Sequence, residues 1–262
     1  MNVGIGRILA ALCLCVATSA LTQDRALPLE VLRSGFDSLG PDLKAMQQDD
    51  FANPGMLWVE RGEKLWSTAS GTSNRSCAGC HGDARSSMKG VAARYPKAER
   101  GTGRLMTVEG RIQQCRSERQ QAPALAWESQ DLLALDSYVA HQSRGMPIQV
   151  SIDGEARQHF EAGRELFFRR FGQMNLSCAQ CHDANWDRRL YAGPVTQGHP
   201  NAYPGYRLEW QTMGSLERRL RACLSGIRAE MFPYGAAEHA QLALYLAWRA
   251  QGLRIEVPGV RR

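Results

Sequence analysis

Cys178, Cys181 and His182 stand in the order Cys-x-x-Cys-His, and Cys77, Cys80 and His81 repeat that order about a hundred residues earlier. One helical turn puts both thiols of such a run on one side. There they can add to the two vinyl groups of a single porphyrin, and the next residue turns its imidazole toward the iron. The spacing is that of c-type haem attachment. Two copies predict two covalently bound c-type haems, anchored by Cys77 and Cys80 and by Cys178 and Cys181, with His81 and His182 as axial ligands. A zinc site built from the same four cysteines has no use for the adjacent histidines and lacks finger spacing.

The second axial ligand decides what each iron can do. Met231-Phe232-Pro233 sits where an electron-transfer cytochrome c carries its methionine, and Met146-Pro147 and Met106 are weaker candidates in the first half. Against them stand Cys115 and Cys223. The first ends Arg111-Ile112-Gln113-Gln114-Cys115 and the second ends Arg219-Leu220-Arg221-Ala222-Cys223. On a helix, an arginine four residues back shares the face of the cysteine, where its charge favours the thiolate. A disulfide between the two is the default for spare cysteines in an oxidising compartment. Two equivalent cysteines in two repeats point rather to two equivalent tasks. Methionine remains the competing ligand on the residues alone. His141, His159, His199 and His239 read as packing or surface histidines.

The elements that must position these groups also repeat. A helix from about Gly62 precedes the first motif, a loop rich in Gly, Lys and Arg follows it, Arg111 to Arg119 reads as helix, and Ser129 to His141 carries Leu132, Leu133, Leu135, Tyr138 and Val139 on one side. In the second half His159 to Phe168, a longer loop with Gly193-Pro194, His199-Pro200 and Pro204-Gly205, a helix capped by Ser215, and a last helix over Glu238 to Trp248 follow the same plan. The expected class is all-α, with two tandem cytochrome c-like haem domains over 56–150 and 151–262, long loops in each, and a lead-in over 21–55.

Residues 1–20 read as a secretory signal: Arg7, an apolar run from Ile8 to Val16, and the small residues Thr18-Ser19-Ala20. The run is too short to span a bilayer. Its removal takes Cys13 and Cys15 and leaves six cysteines. Export suits haem attached outside the bacterial cytoplasm, so the expected location is the periplasm. The net charge of +6 and pI near 9.0 favour anionic substrates or acidic partners and do not select nucleic acid.

These segments, together with Gly198-His199-Pro200 and Tyr206-Arg207-Leu208, resemble the SoxA family, the dihaem subunit of the SoxAX cytochrome of thiosulfate oxidation. The resemblance spans nearly the whole mature chain. It implies His81 with Cys115, and His182 with Cys223, as axial pairs. It further implies Cys223 as active-site cysteine, often a persulfide, and Arg219 as the arginine that contacts substrate. The implied activity is S-thiosulfotransfer: thiosulfate is joined to a cysteine of the carrier SoxYZ, and electrons pass to the monohaem partner SoxX. A plain dihaem electron carrier with Met231 ligation, a dihaem peroxidase and a haem-based sensor are the rival classes.

Overall fold

Two glycines fix how the helices cross. The computed structural model describes residues 29–190 and 193–262; the expected signal over 1–20, with Cys13 and Cys15, lies outside them. Helix α1 spans Pro41–Gln48, α2 Met56–Ser67, α3 Cys77–His81 and α4 Ala84–Ser87. The hairpin of β1 (Lys97–Ala98) and β2 (Leu105–Met106) leads into α5 (Val108–Cys115), which runs on as a π turn to Gln120. Helix α6 (Gln130–His141) ends the first half. The second half holds α7 (Arg157–Phe168), α8 (Cys178–His182), the pair β3 (Arg189–Leu190) and β4 (Gly193–Pro194), and the pair β5 (Gly205–Arg207) and β6 (Thr212–Gly214). It closes with α9 (Leu216–Gly226), α10 (Ala237–Arg249) and β7 (Gly259–Arg261).

Helix α2 packs on α6 at Gly62, where a Cβ would stand 2.1 Å from the Ala134 carbonyl oxygen and 2.5 Å from Cβ of Tyr138. Helix α7 packs on α10 at Gly163, where a Cβ would stand 2.1 Å from the Gln241 carbonyl oxygen and 3.1 Å from Cβ of Tyr245. Each crossing needs a bare backbone on one helix and a tyrosine on the other. The larger core gathers Phe160, Phe167, Leu244 and Tyr245 around the second crossing, with Ile148, Val150, Ile255 and Val257 from the connecting segments. The smaller holds Val59, Trp66, Ala84, Tyr138 and Val139 beside the first.

The expected all-α class is corrected by three small sheets: β1–β2, β3–β4, and β6–β5–β7 with β7 parallel to β5. The loops that follow each haem motif are partly buried, so their backbone groups need partners, and short ladders supply them. The lead-in also has more order than its sequence suggests. Gln47 on α1 accepts from the Val260 amide at 2.9 Å, and Asn53 donates to the Pro258 carbonyl at 2.9 Å. The segment therefore docks on the C-terminal strand of the second half through polar contacts, which leave no apolar period to read.

Candidate active site

Each Cys-x-x-Cys-His run is one short helix with a serine cap. Ser76 accepts from the Gly79 amide at 2.9 Å. Ser177 accepts from the Gln180 amide, while the Gln180 side chain accepts from the Ser177 amide at 2.8 Å, closing a full capping box. The caps hold helices that are too short to persist alone.

The turn before each motif is tied to the chain just beyond the candidate ligand cysteine. Thr72 and Ser73 donate backbone hydrogen bonds to the Gln121 and Gln120 carbonyls, and Gln173 and Met174 donate to those of Arg228 and Ile227. Gly71 and Gly172 make the approach possible. Both have positive φ, +69° and +66°, and a Cβ on either would meet backbone oxygen at 2.1 and 2.3 Å. These ties bring Cys115 to the first motif and Cys223 to the second, although more than thirty residues separate each cysteine from its motif.

In the second half, Nδ1 of His182 lies 2.7 Å from the Thr196 carbonyl oxygen. That bond fixes the ring and leaves Nε2 free for a metal, the usual outer-shell arrangement of a ligating histidine. Gly198, at φ +74°, lies so close that a Cβ would be 3.0 Å from the ring. Arg249, buried on α10, pairs at 2.6 Å with Asp183, the residue after His182. Cys223 faces His182 from α9. Burial alone would raise its thiol, but a hydrogen bond with His182 and the charges of Arg219, His182 and Arg207 outweigh that and bring it down to about 7. The Cys223 sulfur in turn raises the Arg219 guanidinium against its own burial. Burial pushes the Cys178 thiol up to about 12, and the nearby Cys223 sulfur adds to it. Cys181 is raised by the same two causes.

The first half repeats the set with different electrostatics. The Cys115 sulfur neighbours both Cys77 and Cys80. Trp66 flanks His81 with ring centroids 5.7 Å apart. Burial raises the Cys115 thiol in spite of Arg111 and Arg119. Arg111 is ion-paired with Glu99 at 3.0 Å.

The donor sets fit covalently held haem: in each half two thiols on one turn, a histidine after them, and a cysteine from the following helix. No disulfide joins Cys115 to Cys223; all six described cysteines are free. Met231 is 42% exposed in the loop before α10, Met106 is buried on β2, and Met146 packs on Gly90. His141 and His159 bond to the Val257 and Gly103 carbonyl oxygens, His199 to the Gln197 side chain, and His239 pairs with Glu217. Of the arginines near Cys223 in sequence, Arg219 alone is turned to the sulfur. Arg218 lies over Trp210 and Arg221 over Tyr234, with Arg221 also bonded to the Phe232 carbonyl. Arg207 and Thr196 belong to the site as well. Thr196 contributes a loop carbonyl, which leaves no motif; Arg207 lies in the Tyr206-Arg207-Leu208 segment of the resemblance, where the sequence assigns it no role.

A family profile described as "SoxA/TsdA, cytochrome c domain" matches residues 61–148, the segment that holds the first motif, Arg111 and Cys115. The L-cysteine S-thiosulfotransferase subunit SoxA of Rhodovulum sulfidophilum is 39% identical over 244 residues, covering 93% of this chain and 84% of its own. This chain belongs to the SoxA family. The SoxA subunit of Pseudaminobacter salicylatoxidans is likewise 39% identical, over 90% of this chain and 82% of that one. The crystal structure of SoxXA from P. pantotrophus superposes with a TM-score of 0.85 at 35% identity, covering 88% of this chain and 87% of that chain. The SoxA match extends well beyond the profiled segment, so the second motif and Cys223 lie within the shared chain. The cytochrome c domain also carries the expectation of covalent c-type haem.

Proposed function

We propose that this chain is the catalytic haem subunit of a thiosulfate-oxidising complex, an L-cysteine S-thiosulfotransferase. It acts on thiosulfate and a carrier-protein cysteine of the SoxYZ kind. The carrier thiol and thiosulfate give a carrier S–S bond to the sulfonate-bearing sulfur, a proton and two electrons. The single observation that carries this reading is the Cys223 sulfur held beside both His182 and Arg219.

Two haems are assigned, one to each half of the chain, 56–150 and 151–262. Cys77 and Cys80 would hold the first covalently, with His81 and Cys115 as its iron-binding residues. Cys178 and Cys181 would hold the second, with His182 and Cys223 as its iron-binding residues. When bound, haem supplies one-electron acceptance beside the reacting sulfur. The rest falls to the chain's own residues. Arg219 offers a planar fork of donors to two sulfonate oxygens, which turns the terminal sulfur of thiosulfate toward Cys223. Its charge offsets the repulsion between a dianion and a thiolate. Cys223 forms the S–S bond with that sulfur, and the carrier thiolate then takes the sulfonate-bearing sulfur by disulfide-type exchange. His182, anchored by Thr196, keeps its tautomer throughout.

The SoxXA structure supports a SoxX partner, and on this reading SoxX is the monohaem cytochrome that receives the electrons. The secretory-type sequence over 1–20 supports export and, on this reading, a periplasmic location. Among the described residues no helix is long and apolar enough to cross a membrane. The test is turnover with thiosulfate, carrier and a cytochrome acceptor, in the wild type and in Cys223→Ser. Loss of turnover in the variant with its covalent haem retained is expected. An inactive wild-type complex would refute the reading. Exposure of Met231 disfavours the plain electron carrier with methionine ligation.

A further inference from the structure

The two ligand cysteines are 108 residues apart, and the hairpins before them keep that offset. Lys97 pairs with Met106 as Gly205 pairs with Gly214, and Ala98 pairs with Leu105 as Tyr206 pairs with Met213. The helix caps Thr107 and Ser215 obey it too, as do Tyr95-Pro96 and Tyr203-Pro204. The next position is Glu99, just past β1 and still bonded through its amide to the Arg104 carbonyl, in one copy, and Arg207, the last residue of β5, in the other. At one place in the duplicated fold, a carboxylate has been exchanged for a guanidinium.

The consequences are local. Glu99 pairs with Arg111 through one guanidinium nitrogen: Nη1 of Arg111 donates to Oε1 of Glu99 at 3.0 Å, Thr102 donates to Oε2 at 2.9 Å, and Gln114 completes the set from α5. The same Nη1 also bonds the Gln114 oxygen. The pair is only 35% and 21% exposed, so solvent screens it incompletely. Arg219 has no ion pair among the described residues. Arg207 stands at the matching place by strand register, opposite Thr212. It is itself shared with Glu209 at 2.8 Å and with the Tyr203 hydroxyl at 3.3 Å. The first copy is thus a neutral pair beside Cys115, and the second keeps a net positive charge beside Cys223.

We infer that Glu99 is a built-in carboxylate that closes the first copy of the anion site, and that its counterpart Arg207 keeps the second copy open to a sulfur oxyanion. One hairpin position then decides which of the two cysteines takes substrate. This rests on the proposed thiosulfate chemistry and adds to it a specificity-determining residue in each half. Glu99 fills the place of a sulfonate at Arg111, and Cys115 is left with an iron to ligate and no anion to receive.

The experiment uses the haem-loaded complex. Thiosulfate is titrated against the low-spin paramagnetic resonance signals of the two haems in wild type, Glu99→Gln and Glu99→Arg, and KM and kcat are measured for Arg207→Glu. In wild type thiosulfate should perturb one haem signal. In Glu99→Arg it should perturb both, saturably, and in Glu99→Gln the first haem should respond more weakly. Arg207→Glu should raise KM for thiosulfate about tenfold or more, the loss expected for one charged contact, with haem content unchanged. An active wild type whose Glu99 variants load haem yet leave the first signal unmoved, or an unchanged KM in Arg207→Glu, overturns the assignment alone. A wild type without thiosulfate turnover removes the underlying reading with it. If Glu99→Arg fails to load haem, Glu99→Gln and Arg207→Glu still decide the matter.

Discussion

Nδ1 of His182 stands 2.7 Å from the carbonyl oxygen of Thr196, fourteen residues further along the chain. That distance orients the proximal imidazole from a loop rather than from a helix. The loop is in turn held by Gln197, which is buried and bonds the backbone of Arg33 and Val31 in the lead-in. The lead-in thereby reaches the site of His182 and Cys223.

Gly198→Ala should disturb that loop. The position has φ +74°, and the new methyl would stand 3.0 Å from the His182 ring. The backbone strain costs about 1 kcal/mol, and relief of the contact would have to move the ring. The expected result is a lower melting temperature and altered resonance parameters of the second haem, with the first haem unchanged.

Arg219→Ala should raise KM for thiosulfate by roughly one to two orders of magnitude, the loss of a charged hydrogen-bond donor. The visible spectrum should stay unchanged, because His182 and Cys223 remain. Steady-state kinetics beside a spectrum of the same preparation checks both. An Arg219→Lys variant should recover only part of the loss, since an ammonium keeps charge without the fork.

Gly163→Ala should destabilise the second half. A Cβ would lie 2.1 Å from the Gln241 carbonyl oxygen, so α7 and α10 must separate. Overpacking of this kind costs about 1–3 kcal/mol, read as a shift in the denaturant midpoint. Gly62→Ala, 2.1 Å from the Ala134 carbonyl oxygen, should do the same at the first crossing.

Stability should depend on pH through a carboxylate group between the halves. Glu109, Asp136, Glu217 and His239 line a cavity of about 120 Å³. Burial, reinforced by Glu128, raises Asp136 to about 7, and burial with Asp136 and Glu217 nearby raises Glu109. The folded protein therefore holds protons that the unfolded chain has already released above about pH 4. Stability should fall as pH rises from that value, the Asp136 contribution being lost by about pH 7. Asp136→Asn should flatten the fall, by an amount on the order of a few kcal/mol, in denaturant titrations from pH 4.5 to 8.

Much of the site was legible because its spacing is local. Two thiols and a histidine within one turn, Arg219 one turn before Cys223, and Ser215 as a cap all depend on contacts between neighbours in the chain. The long helices α6 and α10 were legible from their apolar periodicity, whereas the glycine–tyrosine crossings emerged only from the packing. Helix α1 was missed because it is short and its buried face is polar, with Gln47 and Asn53 bonded to the C-terminal strand. The hairpins were missed because two- and three-residue strands carry no period.

The sequence by itself determined which atoms can bind haem and which cysteines are spare. The tertiary structure decided how they meet: that Cys223 faces His182, that Thr196 sets the ring, that Met231 points to solvent, and that Arg111 is already occupied by Glu99. A local motif needs only the fixed geometry of one helical turn. Those other relations need backbone pairings between segments far apart in the chain, and no spacing of residue types records them.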